Sequence, residues 1–244
     1  MSTVPINRAA RRLALVVQAG VVFVLVLLAV GWSLVPAASP IAAASVLIAY
    51  AMLAHVSAMM ARPDASRIQW VTLACGSVSA AVLIRSLAVQ YFGRTTNNAV
   101  MVAVVFGLWL VAGIVTAAWT GRIRDAVLSS TLSAEIGSLA NVGFILASYY
   151  VLRGSALQEQ FFRTEGTYDD FARSGGVDFG AFVVGDLFGG AFFHLLLGGL
   201  FGVLLGAIGG ALTVGVTRVF KLPGDRLPNT AAAPDGRREV SGRE

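Results

Sequence analysis

Charge is what this sequence has least of. Asp, Glu, Lys and Arg together make up 13% of its 244 residues, about half of the ~25% found in soluble domains. That leaves too little polar surface for a dissolved globule and excludes disorder along most of the chain. A lone cysteine, Cys75, excludes a disulfide framework and any multi-cysteine zinc or iron–sulfur site. Histidine occurs only at His55 and His194. Paired axial ligation of a haem is geometrically conceivable, but without a repeated ligand motif hydrogen bonding is the simpler role, and no cofactor or metal is implied. Nucleophile elbow, P-loop, dinucleotide fingerprint and metalloprotease helix are all missing. Lysine is nearly absent while Ala, Gly, Val and Arg abound. That usage fits a bacterium with a GC-rich genome, whose inner membrane is the plasma membrane.

What the chain has instead is oil-soluble length. Hydrophobic residues account for 57%, and the mean hydropathy is +0.77. A helix rises about 1.5 Å per residue, so about 20 apolar residues cross a bilayer core about 30 Å thick. Runs of that kind occupy about 13–35, 41–60, 70–91, 99–119 and 126–152, with a last one between Phe179 and Thr217. Backbone groups at that depth find no water, so the runs must be helical. The reading is an all-α, polytopic integral membrane protein: a six-transmembrane-helix bundle over residues 13–220, both termini cytoplasmic. A cleaved signal peptide is the weaker reading of the first run, which is longer than the 7–15 apolar residues of an h-region.

Arginine sets the orientation. With residues 1–12 in the cytoplasm, Arg8, Arg11, Arg12, Arg62, Arg67, Arg122 and Arg124 fall inside, with Arg218, Lys221, Arg226, Arg237, Arg238 and Arg243 of the tail. Only Arg94, Arg153, Arg163 and Arg173 fall outside, as the positive-inside rule asks. The basic balance therefore needs no nucleic acid. The lipid bilayer is the first partner, and a homo-oligomer or another membrane protein the second.

Connections are short except one. Pro36, Ser39 and Pro40 end one helix and open the next, and Arg62–Pro63–Asp64 is a tight cytoplasmic turn. The outside loop 153–178 mixes acids with Phe161, Phe162, Tyr168 and Phe171, and Thr167–Asp170 resembles a capping box ending at Gly175–Gly176. It reads as an interfacial amphipathic helix. The last apolar run is too long for one crossing, and splitting it at Gly198–Gly199 would carry the basic tail outside. An interfacial or re-entrant start near 179–190 followed by one span, about 187–217, satisfies both constraints. Residues 221–244 read as a disordered cytoplasmic tail. Phe106–Gly107 and Phe201–Gly202 are a faint internal echo of the kind transporters carry.

Two constellations stand out. Gly198, Gly202, Gly206 and Gly210 form a small-xxx-small series, a glycine zipper, which lets a partner backbone approach closely, more plausibly within this chain than across subunits. Arg85, Glu135 and Asp186 are ionisable groups inside apolar runs, where a charge costs at least ~2.5–3.5 kcal/mol without a partner. Thr131, Glu135 and Ser138 share a helix face, flanked by Asn141. Arg85, Glu135, Asn141, Asp186 and His194 are the candidate intramembrane polar site. Two readings of it stand: Arg85 and Asp186 pair at one depth, or, the favoured one, Arg85 snorkels outward, Asp186 lies at the interface and Glu135 stays protonated and hydrogen-bonded. No catalytic residue is singled out. The expected function is a non-enzymatic membrane component acting through helix packing or partner assembly. The alternative is a small permease with a polar pathway through Arg85, Glu135 and Asp186.

Overall fold

The computed structural model describes residues 8–32, 38–59, 66–92 and 97–220. The Pro36–Pro40 junction, the Arg62–Pro63–Asp64 turn and the 221–244 tail lie wholly or largely outside them. Among the described residues every regular element is a helix: α1 (Arg8–Gly31), α2 (Ala38–Met59), α3 (Ser66–Tyr91), α4 (Asn98–Thr120), α5 (Ile123–Val151), α6 (Ala156–Thr164), α7 (Thr167–Ser174) and α8 (Phe179–Phe220). Five of them, α1, α3, α4, α5 and α8, are long and apolar enough to cross a membrane, and α2 adds a shorter apolar stretch, Ile41–Ser57. The protein is membrane-embedded and all-helical.

The bundle is five helices around one. α5 packs against α1, α3, α4 and α8 and more loosely against α2, while α1–α2, α2–α8, α8–α4, α4–α3 and α3–α1 close a ring around it. In α5 78% of the most apolar window is buried, against 28–33% in the other four spanning helices. This explains why the least apolar of the five sits in the middle. Its Ser129, Ser130, Thr131, Ser133, Glu135, Ser138 and Asn141 are shielded from lipid by protein, and Ser129 and Ser133 hydrogen-bond across to α3. The outward faces of the ring are apolar, for example Val22 and Val26 on α1, Val104 and Val111 on α4, and Leu200 and Leu204 on α8.

Close approach in this ring depends on residues without a Cβ. A Cβ added at Gly206 would stand 2.6 Å from Val127 Cα, one at Gly202 2.7 Å from Thr131 Cα, and one at Gly210 3.0 Å from Ala126 Cβ. The glycine series on α8 therefore lies along α5, backbone against backbone. Gly113 of α4 meets the same stretch, where an added Cβ would stand 3.1 Å from Gly206 Cα. The rings of Phe106 and Phe201 pack at 4.7 Å on the same α4–α8 contact.

Local signals set the helix ends. Asn97 caps α4 by accepting from Val100 N–H at 3.2 Å, and Gly121, at φ 67, ends it in the left-handed conformation that glycine adopts without strain. The outer segment holds two short helices instead of one. Ser155 caps α6, and α7 is preceded by Gly166 with no side-chain cap. Thr167 is thus the first helical residue, not the cap its capping-box pattern implies. Tyr91 stacks on Phe161 at 4.4 Å and Tyr168 on Phe179 at 4.8 Å, so aromatic rings seal the end of the bundle that carries α6 and α7.

α8 departs furthest from the sequence reading. It is one unbroken helix of 42 residues, about 63 Å long, with neither a re-entrant start at 179–190 nor a break at Gly198–Gly199. Intrahelical bonds satisfy the backbone without a break. The extra length at the outer end packs beside α7, with Phe182 against Phe171 and Asp178 capping the first turn by accepting from Ala181 N–H at 3.0 Å.

Candidate functional site

The polar face of α5 divides into two seams. Toward α3, Thr72 and Ser129 share a hydroxyl–hydroxyl bond of 2.7 Å, and Ser133 Oγ donates to the carbonyls of Thr72 and Ser129 at 3.0 and 2.9 Å. Farther out, Tyr91 and Ser148 hydroxyls meet at 3.0 Å. These hydroxyls are spent on holding α3 to α5, each net bond contributing on the order of 1 kcal/mol.

The second seam faces α2 and α8 and contains the one buried carboxylate of the described helices. Glu135 is 1% exposed, and its Oε2 has no hydrogen-bond partner. Its direction follows from its neighbours on the wheel. Thr131, Ala134 and Ser138 lie against Gly198 and Gly202 of α8, while Leu139 and Gly143 lie against Gly20 and Phe23 of α1. Glu135 falls between these two strips and looks at α2, which the ring places between α1 and α8. There Tyr50, itself buried, lies within electrostatic reach of Glu135 and close to the Ser138 side chain. Its own hydroxyl donates to the carbonyl of Leu195.

Gly198 and Gly199 make room for this junction. A Cβ at Gly198 would collide with the Ser138 hydroxyl, and one at Gly199 would touch the Tyr50 ring at 3.4 Å. Two turns along α2 from Tyr50, on the same face, Ser57 Oγ is a second buried polar atom without a partner. Thr131 stands one turn from Glu135 toward the same end, its hydroxyl bonded to Val127 O at 2.8 Å. The result is a narrow polar column, Ser57, Thr131, Glu135, Ser138 and Tyr50, in otherwise apolar packing.

The remaining candidate residues are not brought to it. Arg85, Asp186 and His194 are exposed on the outer faces of α3 and α8, and His55 is exposed on α2. Arg85 and Asp186 do not share a depth. Ser79 faces Gly137 and Tyr91 meets Ser148, so Arg85 is level with about Val142. Val184 and Phe188 pack at Gly31 beside Tyr150, so Asp186 is level with about Tyr150, roughly 12 Å farther out. Among the described residues the ion pairs are Arg163–Glu159 and Arg173–Asp170, both on the outer short helices, and none joins Arg85 to Asp186. His194 Nδ1 stays with its own helix, 2.7 Å from Gly190 O. The two histidines lie on outer faces and no ring of either points into the column. Asn141 is buried, about a third of a turn around α5 from Glu135.

Tyr50 and Ser57 are the members that sequence reasoning missed. The signal was available: tyrosines belong at membrane interfaces, and Tyr50 stands mid-run with a hydroxyl residue seven positions on. Among the described residues no group of three or more His, Cys, Asp or Glu could hold a metal. The chain matches no protein-family model, no curated protein and no solved structure.

Proposed function

We propose that the chain is a six-span protein of the plasma membrane, with both termini cytoplasmic, acting as a non-enzymatic membrane component that assembles with another membrane protein or with its own copy. Six crossings follow if α2, 22 residues long from Ala38 to Met59, joins the five longer helices. The orientation rests on Arg67, Arg122, Arg124 and Arg218 lying at one end. What supports the structural role is the seam along α5, where Gly202, Gly206 and Gly210 allow backbone contact and Gly198 makes room for the Ser138 side chain. That seam makes a rigid scaffold, in the manner of a glycine zipper, and leaves apolar outer faces for lipid or partner.

The permease reading keeps one supporting observation, the orphan oxygen of Glu135. It loses the continuity it needs, because Arg85 and Asp186 lie on separate outer faces. Reconstitution into sealed vesicles separates the two. The scaffold reading expects proton and ion flux no greater than in protein-free vesicles, together with one defined assembly size in detergent. A flux abolished by Glu135→Gln overturns it in favour of the permease.

A further inference from the structure

We propose that Glu135, with Tyr50 and Ser138, is a reversible proton-binding site in the middle of the bundle, reached through the α2–α5 seam from the end that carries Arg67, Arg122 and Arg124. The inference goes beyond the scaffold reading and does not depend on it, since a proton can be bound without being carried across.

Three features of the geometry point there. First, the carboxyl group is enclosed, 1% exposed, with Oε2 unpartnered. A carboxylate in such a place demands a compensating cation, and the cheapest cation to deliver is a proton that becomes part of the group. Second, among the described residues no charged side chain faces it from a packed element. α1 presents apolar side chains such as Val17, Val21 and Val24. α2 presents Tyr50, with His55 turned outward, and α8 presents Gly198, Gly199 and Gly202, with His194 turned outward. α3 and α4 lie on the far side of α5, where Cys75 is buried and Arg85 exposed. Third, polar atoms of the seam continue from Glu135 toward one end. Ser57 Oγ, itself unpartnered, and Thr131 extend the column toward the arginine-bearing end. On the other side Tyr50 is locked to Leu195 O and the core closes with Leu28, Val142, Leu146, Val184 and Phe188.

The chemistry is a single proton transfer. A hydronium or water in the seam gives up its proton, one O–H bond forms at a Glu135 carboxyl oxygen, and the donor leaves as water or hydroxide. Binding turns an acceptor-only group into one that also donates, so it can hydrogen-bond Tyr50 or Thr131. α2, packed less tightly on α5 than its neighbours are, is the helix whose seat responds.

The test uses the full chain in sealed liposomes with dicyclohexylcarbodiimide, a lipid-soluble reagent that adds to protonated carboxyl groups. The Glu135 peptide is followed by mass spectrometry while the pH on one side is stepped between about 5 and 10. The expected result is adduct on Glu135 that falls at least about tenfold with rising pH, follows the pH on the Arg122 side, and is indifferent to sodium. Ser57→Ala and Thr131→Val are expected to slow the response to a pH step while leaving the end-point unchanged. Labelling that is constant over the whole range overturns the proposal, as does labelling that follows the opposite side. Protection by sodium at fixed pH replaces the proton with a metal cation and overturns it too. The decisive measurement is made on the unaltered chain, so a variant that fails to fold does not obscure it.

Discussion

The hydroxyl of Tyr50 on α2 donates to the backbone carbonyl of Leu195 on α8, 145 positions away in the chain. It is a tie between two neighbours in the ring, made where Gly199 leaves room for the ring of the tyrosine. Tyr50→Phe keeps the ring and removes the tie. The expected loss is about 1 kcal/mol, read as a lower thermal midpoint in detergent, with the assembly size unchanged. An unchanged midpoint would show that the tie contributes nothing to the ring.

Two glycines form a matched contrast. Gly206 is pressed against α5, where a new Cβ would stand 2.6 Å from Val127 Cα, while Gly107 on α4 has nothing within 4 Å. Gly206→Leu is expected to destabilise by several kcal/mol, beyond ordinary overpacking of about 1–3 kcal/mol, or to abolish folding. Gly107→Ala is expected to be neutral or to stabilise by up to about 1 kcal/mol through helix propensity. Size-exclusion profiles and thermal midpoints of the pair measure both, and equal behaviour would remove the close-contact account of α8.

Arg85 and Asp186 should be energetically independent. Both are exposed, on different helices and at different levels. Arg85→Ala and Asp186→Ala are each expected to shift stability by no more than about 0.5 kcal/mol, and the double variant to add within ~0.3–0.5 kcal/mol. A larger coupling energy in that cycle would restore the ion pair that the sequence implies.

The outer helices carry a pH dependence of their own. Glu159 is held below the ordinary carboxylate range, first by the Tyr168 hydroxyl and then by Arg163. A carboxylate held low contributes its stabilisation above its unfolded value and loses it as pH falls through the lower folded one. Tyr168 is pushed above its ordinary value of 10.0, chiefly by the same bond to Glu159. Its contribution is full below that value and is lost as pH rises through the higher folded one. Amide protection in α6 and α7, taken relative to the intrinsic exchange rate at each pH, is therefore expected to be highest between the two limits and to fall at both. Tyr168→Phe should flatten the profile. A protection factor indifferent to pH would show that the contact does not hold α6 to α7.

The membrane class was legible in the chain because it depends on composition, which folding cannot alter. Glu135, Thr131 and Ser138 were placed on one face by helical spacing alone, and spacing is local. Tyr50 was not found, since its relation to Glu135 depends on which helix the ring places between α1 and α8. The different levels of Arg85 and Asp186 were hidden for a related reason. Counting residues from helix ends assumes that all helices end at one plane, whereas α8 runs on beyond its neighbours to meet α7. The single length of α8 was hidden too, because a hydropathy run does not say where a helix leaves the lipid.

The enclosure of α5 also fixes an order of events during synthesis. Its serines and Glu135 leave the ribosome before the glycines of α8 that will cover them have been translated. Until Gly198 and Gly202 arrive, the newborn chain holds a half-built ring with its most polar segment open on one flank. The time of greatest vulnerability for this protein therefore falls between the synthesis of α5 and that of α8.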